Sequence, residues 1–165
     1  MDELSQARLR ELLHYDPDTG VFTWRVNVGS RAAAGGHPNC RDKNGYVLIR
    51  VDKRLYKAHR LAWLYVYGAW PAHGLDHINH IPSDNGIANL RDITHSQNMQ
   101  NRGATKSSKS GIKGVYWSDY KHKWVAQIRL NYAHYRLGAY ATKEAAAAAY
   151  KQAALKLHTH GAFNV

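Results

Sequence analysis

The sequence predicts an α+β protein built in two parts, and three observations support this. Short runs rich in β-branched and aromatic residues, typical of strands, are mixed along the chain with short amphipathic or alanine-rich runs, typical of helices. A segment rich in Ser, Lys and Gly, residues 102–114, has no apolar period. The charge also divides near this segment, since residues 1–98 hold 12 Lys/Arg and 10 Asp/Glu, whereas residues 99–165 hold 11 and two. The predicted organisation is a first domain at 1–101 with its core at 58–101, a linker at 102–112 and a second domain at 113–165.

The composition excludes several classes of protein. No apolar run approaches the roughly 18–20 residues of a membrane span, and the N-terminus lacks the basic-then-apolar layout of a signal peptide, so we predict a cytoplasmic protein with no membrane contact. A single cysteine, Cys40, excludes a disulfide framework and a zinc site built from paired cysteines. The formal net charge of +11 indicates an anionic partner. It does not by itself choose between nucleic acid, a membrane surface and simple solubility.

In the first part, the residue periods predict helix, strand and loop in turn. Leu4, Arg8 and Leu12 stand at helical spacing, which predicts a short helix over residues 3–14 that ends before Asp16-Pro17. Aromatic and β-branched residues then predict a strand, and glycines with a proline predict a loop. The predicted elements after the first helix are a strand at 21–26, a loop at 28–44, a β-hairpin of 45–51 and 54–58 around Asp52-Lys53, a helix at 59–68 stopped by Gly68 and Pro71, strands at 73–80 and 89–94 around a turn-rich stretch at 82–88, and a helix that begins at 95–102.

The second part predicts three strands and one helix. Strand-like runs occupy residues 114–119, 123–130 and 134–140, and an alanine-rich run at 142–158 favours a helix that Thr142 can cap. Basic residues here are interleaved with aromatic ones instead of forming one block, which indicates a folded surface and not a disordered tail. The interleaved aromatic residues are Tyr116, Trp117, Tyr120, Trp124, Tyr132 and Tyr135.

Polar side chains suited to phosphodiester hydrolysis are concentrated between residues 76 and 101. Hydrolysis needs a base to deprotonate water and a cation to neutralise charge on the phosphate, and a neutral His is a suitable base near pH 7. Carboxylate and amide oxygens suit a hard ion such as Mg²⁺. Since neighbouring residues of a strand face opposite ways, an adjacent Asp and His can serve two tasks. The candidates are Asp76, His77, His80, Asn85, Asn89, His95, Asn98 and Asn101.

The stretch AHRLAWLYVYGAWPAHGLDHINHIPSDNGIANLRDITHSQNMQNR resembles the core of HNH homing endonucleases of the phage and intron type, which have the ββα-metal fold. Asp76-His77, Asn89-Leu90 and Asn98 carry the resemblance. It implies that His77 is the general base, that Asp76 and Asn98 hold one divalent metal ion, Mg²⁺ in preference to Mn²⁺, and that Asn89 fixes the His77 imidazole by a hydrogen bond. No structural zinc is expected.

Other residues of this part take structural interpretations. We assign His80 no role, expect Asn85 to serve a turn with its two neighbours, and expect His59 to be buried ahead of a helix. The patterns LxYDPxTGxFxW and GYxxIxVxxxxYxAHRLAW in residues 1–72 also resemble the N-terminal portion of such phage proteins, which implies a shared fold more than shared chemistry.

Residues 114–165 resemble the ethylene-response-factor (APETALA-type) DNA-binding domain of plants, which is also known from phage endonucleases. The landmarks are Gly114-Val115, the run from Trp124 to Arg129, Leu137-Gly138, the alanine-rich helix and the terminal Phe163-Asn164. In that family, a three-stranded antiparallel sheet lies in the major groove and one helix packs behind it. Tyr116 and Ser118 stand where plant members often carry Arg, so the plant target sequence is not transferred.

Strand alternation selects the face of this sheet that would contact DNA. Gln127 and Arg129 anchor it, because Arg pairs with guanine and Gln with adenine, while Lys121 and Lys123 would grip phosphates. Trp124 and Tyr150 are expected in the core. The predicted DNA contacts are Tyr116, Ser118, Tyr120, Lys121, Lys123, Gln127, Arg129, His134 and Arg136.

Taken together, these features predict a site-directed DNA endonuclease in a bacterial host cell, phage-encoded, with an HNH nuclease unit joined to a DNA-binding sheet. It would act on double-stranded DNA as a monomer and nick one strand, because each chain supplies one active site. Two alternatives stay open. One is a non-catalytic DNA-binding regulator that retains the nuclease fold, and the other is an RNA-binding module.

Overall fold

The computed structural model of the protein describes residues 4–29, 32–105, 107–130 and 133–157. The chain divides into two compact units, Met1–Ile93 and Thr94–Val165. Each contains helices and antiparallel strands, so the predicted α+β class is confirmed. No helix within the described ranges is long and apolar enough to cross a membrane.

The first unit opens with a helix that is shorter than predicted. Helix α1 spans Gln6–Leu12, and the Ser5 hydroxyl caps it by accepting from the backbone N–H of Arg8. The sequence predicted helix to residue 14, but strand β1, Leu13–Tyr15, already pairs antiparallel with strand β2, Phe22–Trp24. The apolar positions continue past residue 12 because β1 faces the same core, so the helical period did not show where the helix ends.

A three-stranded sheet and a second helix follow. Strand β3, Cys40–Arg41, lies within the segment predicted as loop and pairs with β4, Val47–Val51, which pairs in turn with β5, Arg54–Lys57. The predicted hairpin is confirmed, and its turn residues Asp52 and Lys53 both have positive φ angles. Helix α2 spans Ala58–Tyr67 and ends at left-handed Gly68, as predicted.

The last elements of the first unit are strand β6, Gly74–His77, a 3-10 turn at Ile87–Asn89, and strand β7, Leu90–Ile93. β6 and β7 pair antiparallel. The core of the unit is formed where α1, α2 and the β1–β2 and β4–β5 hairpins meet, with Leu9, Leu13 and Leu61 fully buried.

The second unit begins with helix α3, His95–Asn101, which has a capping box between Thr94 and Gln97. Strands β8, Val115–Ser118, β9, Lys123–Leu130, and β10, Ala133–Tyr140, form one antiparallel sheet in the order β10-β9-β8. Helix α4, Lys143–Leu157, packs on one face of this sheet, and the Thr142 hydroxyl accepts from a backbone N–H of its first turn, as predicted. The landmarks Phe163-Asn164, and Tyr132, lie outside the described residues.

Small residues let α4 approach the sheet closely. Ala146 and Ala154 are fully buried beside Tyr150 and pack against Ile128. Gly114 has a φ of +70°, and a Cβ built on it would lie 2.3 Å from both the Gln127 carbonyl oxygen and the Tyr150 ring. No side chain larger than hydrogen fits at position 114 without moving backbone or core.

The segment predicted as a linker is partly packed. Ser110 is buried, and its hydroxyl donates to the backbone carbonyl of Val115 at 2.6 Å. The ammonium group of Lys113 donates to the carbonyl oxygens of Met99 and Gln100 at the C-terminal end of α3. Burial, together with the positive charge of Arg102, lowers the pKa of Lys113 to about 8. The two compact units divide between residues 93 and 94, and the predicted domain end at residue 101 stays a prediction.

Candidate active site and DNA-contact face

The β6–β7 hairpin presents Asp76 and His77 on opposite sides, as the alternation of a strand requires. His77 pairs with Leu90 in the ladder and turns inward, where it is 4% exposed. Asp76 pairs with Arg91 and turns to a more accessible side. The two adjacent groups are therefore separated by the plane of the hairpin.

The imidazole of His77 is oriented by Asn85. Nε2 of His77 lies 3.3 Å from Oδ1 of Asn85, and Nδ2 of the same amide donates to the carbonyl of Ser83. Because the amide donates toward Ser83, its oxygen faces His77, and an amide oxygen can only accept. The proton of the neutral ring is thus assigned to Nε2, which leaves the basic lone pair on Nδ1.

This arrangement corrects the predicted role of Asn89. The Asn89 amide accepts from the backbone of Asn79 and donates to the Asn79 side chain and to the carbonyl of Asp84, all at about 3 Å. Asn89 therefore closes the loop after β6, and Asn85, which the sequence assigned to a turn, bonds the His77 ring. Asn85 and Asn89 are four residues apart on the same loop. The spacing of the sequence alone does not show which of these two amides reaches the His77 imidazole.

Two aromatic side chains enclose the His77 ring. His59 meets it edge-on with ring centroids 5.0 Å apart, and Tyr46 lies against both imidazoles. His59 is buried as expected, and its Nδ1 has no hydrogen-bond partner within the described residues. Burial, with the charge that His77 would carry as a secondary cause, lowers the pKa of His59 to about 3. His59 is therefore a neutral wall of the site.

Asp76 is held by an arginine across the hairpin. Nε and Nη2 of Arg91 donate to Oδ2 of Asp76 at 3.0 and 2.8 Å, and both side chains are largely shielded from solvent. The strand ladder puts these residues opposite each other, which the sequence does not predict because the long β6–β7 loop hides the register. Arg91 is thus a second residue that sequence reasoning missed.

The predicted metal ligands have suitable chemistry. Asp76 offers carboxylate oxygens and Asn98 offers an amide oxygen, and both are hard donors of the kind Mg²⁺ accepts with few protein ligands. In the parts of the chain that the structure describes, no three His, Cys, Asp or Glu side chains are grouped to hold a metal. Asn98 lies on α3 in the second unit and is exposed. Its pairing with Asp76 of the first unit stays a prediction.

The sheet of the second unit carries most of the predicted DNA contacts on one face. Along β9, Gln127 and Arg129 alternate with the buried Ala126 and Ile128, which face α4. Residues directly opposite in a ladder share a face, and Arg136 pairs with Gln127. We call the side away from α4 the open face. The predicted contacts on it are Tyr116, Ser118, Lys123, Gln127, Arg129, His134 and Arg136.

Two predicted contacts lie outside the strands. Tyr120 and Lys121 belong to the turn between β8 and β9, where the Tyr120 side chain is 93% exposed. Val125 also belongs to the open face by register, but its side chain is buried. Tyr150 is buried under α4, as expected. That the open face binds DNA stays a prediction.

Comparison with known proteins locates a family at the candidate site. Residues 56–100 match the family model described as HNH endonuclease. A 76-residue stretch is 34% identical to Protein 3.8 of Escherichia phage T7, covering 44% of this chain. The match spans 63% of the length of that relative. No solved structure matches the chain. The segment that contains Asp76, His77, Asn89 and Asn98 therefore matches the HNH endonuclease family model.

Proposed function

We propose that this protein is a site-directed DNA endonuclease of the homing type that nicks double-stranded DNA, with β6, β7 and α3 as its ββα-metal unit. The observation that carries the proposal is the His77–Asn85 hydrogen bond inside the HNH-matching segment. It gives a neutral imidazole one defined tautomer and one lone pair for proton abstraction.

In the proposed mechanism, His77 Nδ1 takes a proton from the attacking water, and Asn85 holds the resulting imidazolium through Nε2. His59 and Tyr46 restrict rotation of the ring. Asp76 and Asn98 would hold one divalent ion, Mg²⁺ or Mn²⁺, which when bound supplies charge neutralisation at the phosphate and at the leaving oxygen. Arg91 keeps the Asp76 carboxylate in a fixed orientation.

The second unit would bring the nuclease to its target. The open face carries Gln127, Arg129 and Arg136, and Lys121 and Lys123 lie in and beside the β8–β9 turn at one end, which suits base contacts next to phosphate contacts. The resemblance to the ethylene-response-factor domain motivates this part of the proposal. We propose that a monomer binds and that a double-strand break needs dimerisation or two events.

A non-catalytic DNA-binding regulator is the second candidate, and two observations favour it. Asp76 is already paired with Arg91, so a cation must compete with a guanidinium. His77 is 4% exposed, so little of the ring surface meets solvent. Either arrangement would suit a nuclease fold that has kept its shape and lost its chemistry.

Cleavage of DNA separates the two candidates. The protein is incubated with supercoiled plasmid libraries in Mg²⁺ or Mn²⁺, and nicked ends are mapped by sequencing. We expect mapped nicks from the wild type, and His77→Ala should lower their rate by about 10²–10⁴-fold, the usual contribution of a general base. His14→Ala removes an exposed histidine of the same unit and should leave the rate within a few-fold. A wild type that binds duplex DNA but never nicks it would establish the regulator.

A further inference from the structure

The tip of the β1–β2 hairpin packs against the loop that supplies Asn85. The hydroxyl of Tyr15 donates to the carbonyl oxygen of Asn85 at 2.7 Å in a buried contact. The backbone N–H of Ile87 donates to the carbonyl of Pro17 at 2.9 Å. Asn85 and Ile87 are therefore both tied to one short segment, 15–20.

Gly20 brings the two backbones into direct contact. It has a φ of +72°, and a Cβ built on it would lie 2.3 Å from the carbonyl carbon of Asn85 and from the nitrogen of Gly86. A Cβ on Gly86 would in turn lie 3.0 Å from the carbonyl oxygen of Asp18. Any side chain at position 20 must push the Asn85 backbone away, because backbone atoms cannot rotate aside as a flexible side chain can.

Tyr15 is built to act as a lasting donor. Its ring is buried against Phe22 and Tyr65, and burial raises the pKa of its phenol, which keeps the hydroxyl protonated. Removing the hydroxyl would leave the buried Asn85 carbonyl without this partner.

We propose that the hairpin tip Tyr15–Gly20 is a positioning element for the general base, acting through Asn85 on the tautomer of His77. The element fixes the Asn85 backbone, the Asn85 amide fixes the proton on Nε2, and the lone pair then lies on Nδ1. This inference rests on the proposed function of His77 as base. The resemblance linked the YDPxTG motif only to the fold. In this proposal the motif has a positioning role in catalysis.

The test reads the tautomer directly and does not depend on cleavage. Protein labelled with ¹⁵N-histidine is examined at alkaline pH by long-range ¹H–¹⁵N correlation, which distinguishes protonated from unprotonated ring nitrogens. The His77 signals are assigned by their loss in His77→Ala. We expect the Nε2–H tautomer in the wild type and a mixture of tautomers in Tyr15→Phe and Gly20→Ala.

Gly35→Ala is the matched control. Gly35 also has a positive φ, +81°, but nothing lies within 4 Å of a Cβ built there. It should carry comparable backbone strain and retain the Nε2–H tautomer. In parallel cleavage assays, kcat should fall about 10–100-fold in the two hairpin variants, as for other partners that orient a reacting group, with KM unchanged.

The outcomes separate this inference from the function on which it rests. If both hairpin variants lose thermal stability yet keep the Nε2–H tautomer and wild-type kcat, the hairpin is a structural support and the inference is overturned. If Gly20→Ala does not fold, Tyr15→Phe decides alone. A wild type that never cleaves DNA but whose tautomer shifts in the variants would overturn the proposed nuclease and leave the positioning contact established.

Discussion

Replacing two arginines on the open face should weaken the salt dependence of DNA binding by a calculable amount. Arg129 and Arg136 lie on neighbouring strands, β9 and β10, on the side of the sheet away from α4. The double variant Arg129→Gln/Arg136→Gln removes two positive charges and keeps polar side chains of similar length. The backbone ladder that carries them is untouched.

The magnitude follows from a count of cations. The predicted contacts include four, namely Lys121, Lys123, Arg129 and Arg136. If each neutralises one phosphate, log K falls with log salt with a slope of about −3.6, at about −0.9 per contact. From 50 to 200 mM salt, affinity should then fall about 150-fold for the wild type and about 12-fold for the double variant, whose slope is about −1.8.

Fluorescence anisotropy of a labelled duplex over a salt series measures both slopes. Lys151→Gln/Lys156→Gln is the matched control, because both lysines lie on α4 and its formal net charge also falls from +11 to +9. This control should keep the slope of about −3.6. Equal loss of slope in the two double variants would refute the reasoning, since it would mean that net charge and not the open face drives binding.

Three further predictions follow from other parts of the molecule. Gly114→Ala should destabilise the second unit by about 2–5 kcal/mol, through left-handed backbone strain and overpacking. Gly111→Ala is the control, because Gly111 has a positive φ but no close neighbour, and it should cost about 1–2 kcal/mol. Amide hydrogen exchange in β9 measures both changes. Between pH 8 and 10.5 the Lys113 side chain binds more protons in the unfolded chain than in the folded one, so the free energy of unfolding should rise with pH in this range. Lys113→Met should flatten this rise, as measured by denaturant titrations. Chelation with EDTA should abolish nicking and added Mg²⁺ restore it.

Helices and strands with a clear hydrophobic period, or with turn or helix-ending residues at their boundaries, could be predicted from the sequence. The hairpin around Asp52-Lys53, helix α2 with its stop at Gly68, and the three strands with α4 were all expected. Side-chain alternation also grouped the residues of the open face, because a period of two needs no knowledge of distant partners.

Contacts between segments far apart in the chain could not be predicted. Asn85 and Asn89 both follow β6 on one loop, and only the folded path of that loop decides which amide reaches His77. The Asp76–Arg91 pair depends on the register of β6 with β7, and the contact of Tyr15 with Asn85 joins residues 70 positions apart. The residue type limits the possible hydrogen-bond partners in each case, but the folded path of the chain determines which partner is within reach.

The division between the open face and the α4 side of the sheet has an evolutionary consequence. Exposed polar side chains such as His134 and Arg136 can be exchanged at a cost of about 0.5 kcal/mol or less, because most of the residues that hold the unit together face α4. If the open face binds DNA as proposed, its sequence preference can therefore change by single substitutions while the fold and the HNH-matching segment stay constant. Selection from a library randomised at the open-face positions should yield folded variants at high frequency, each a starting point for a new target.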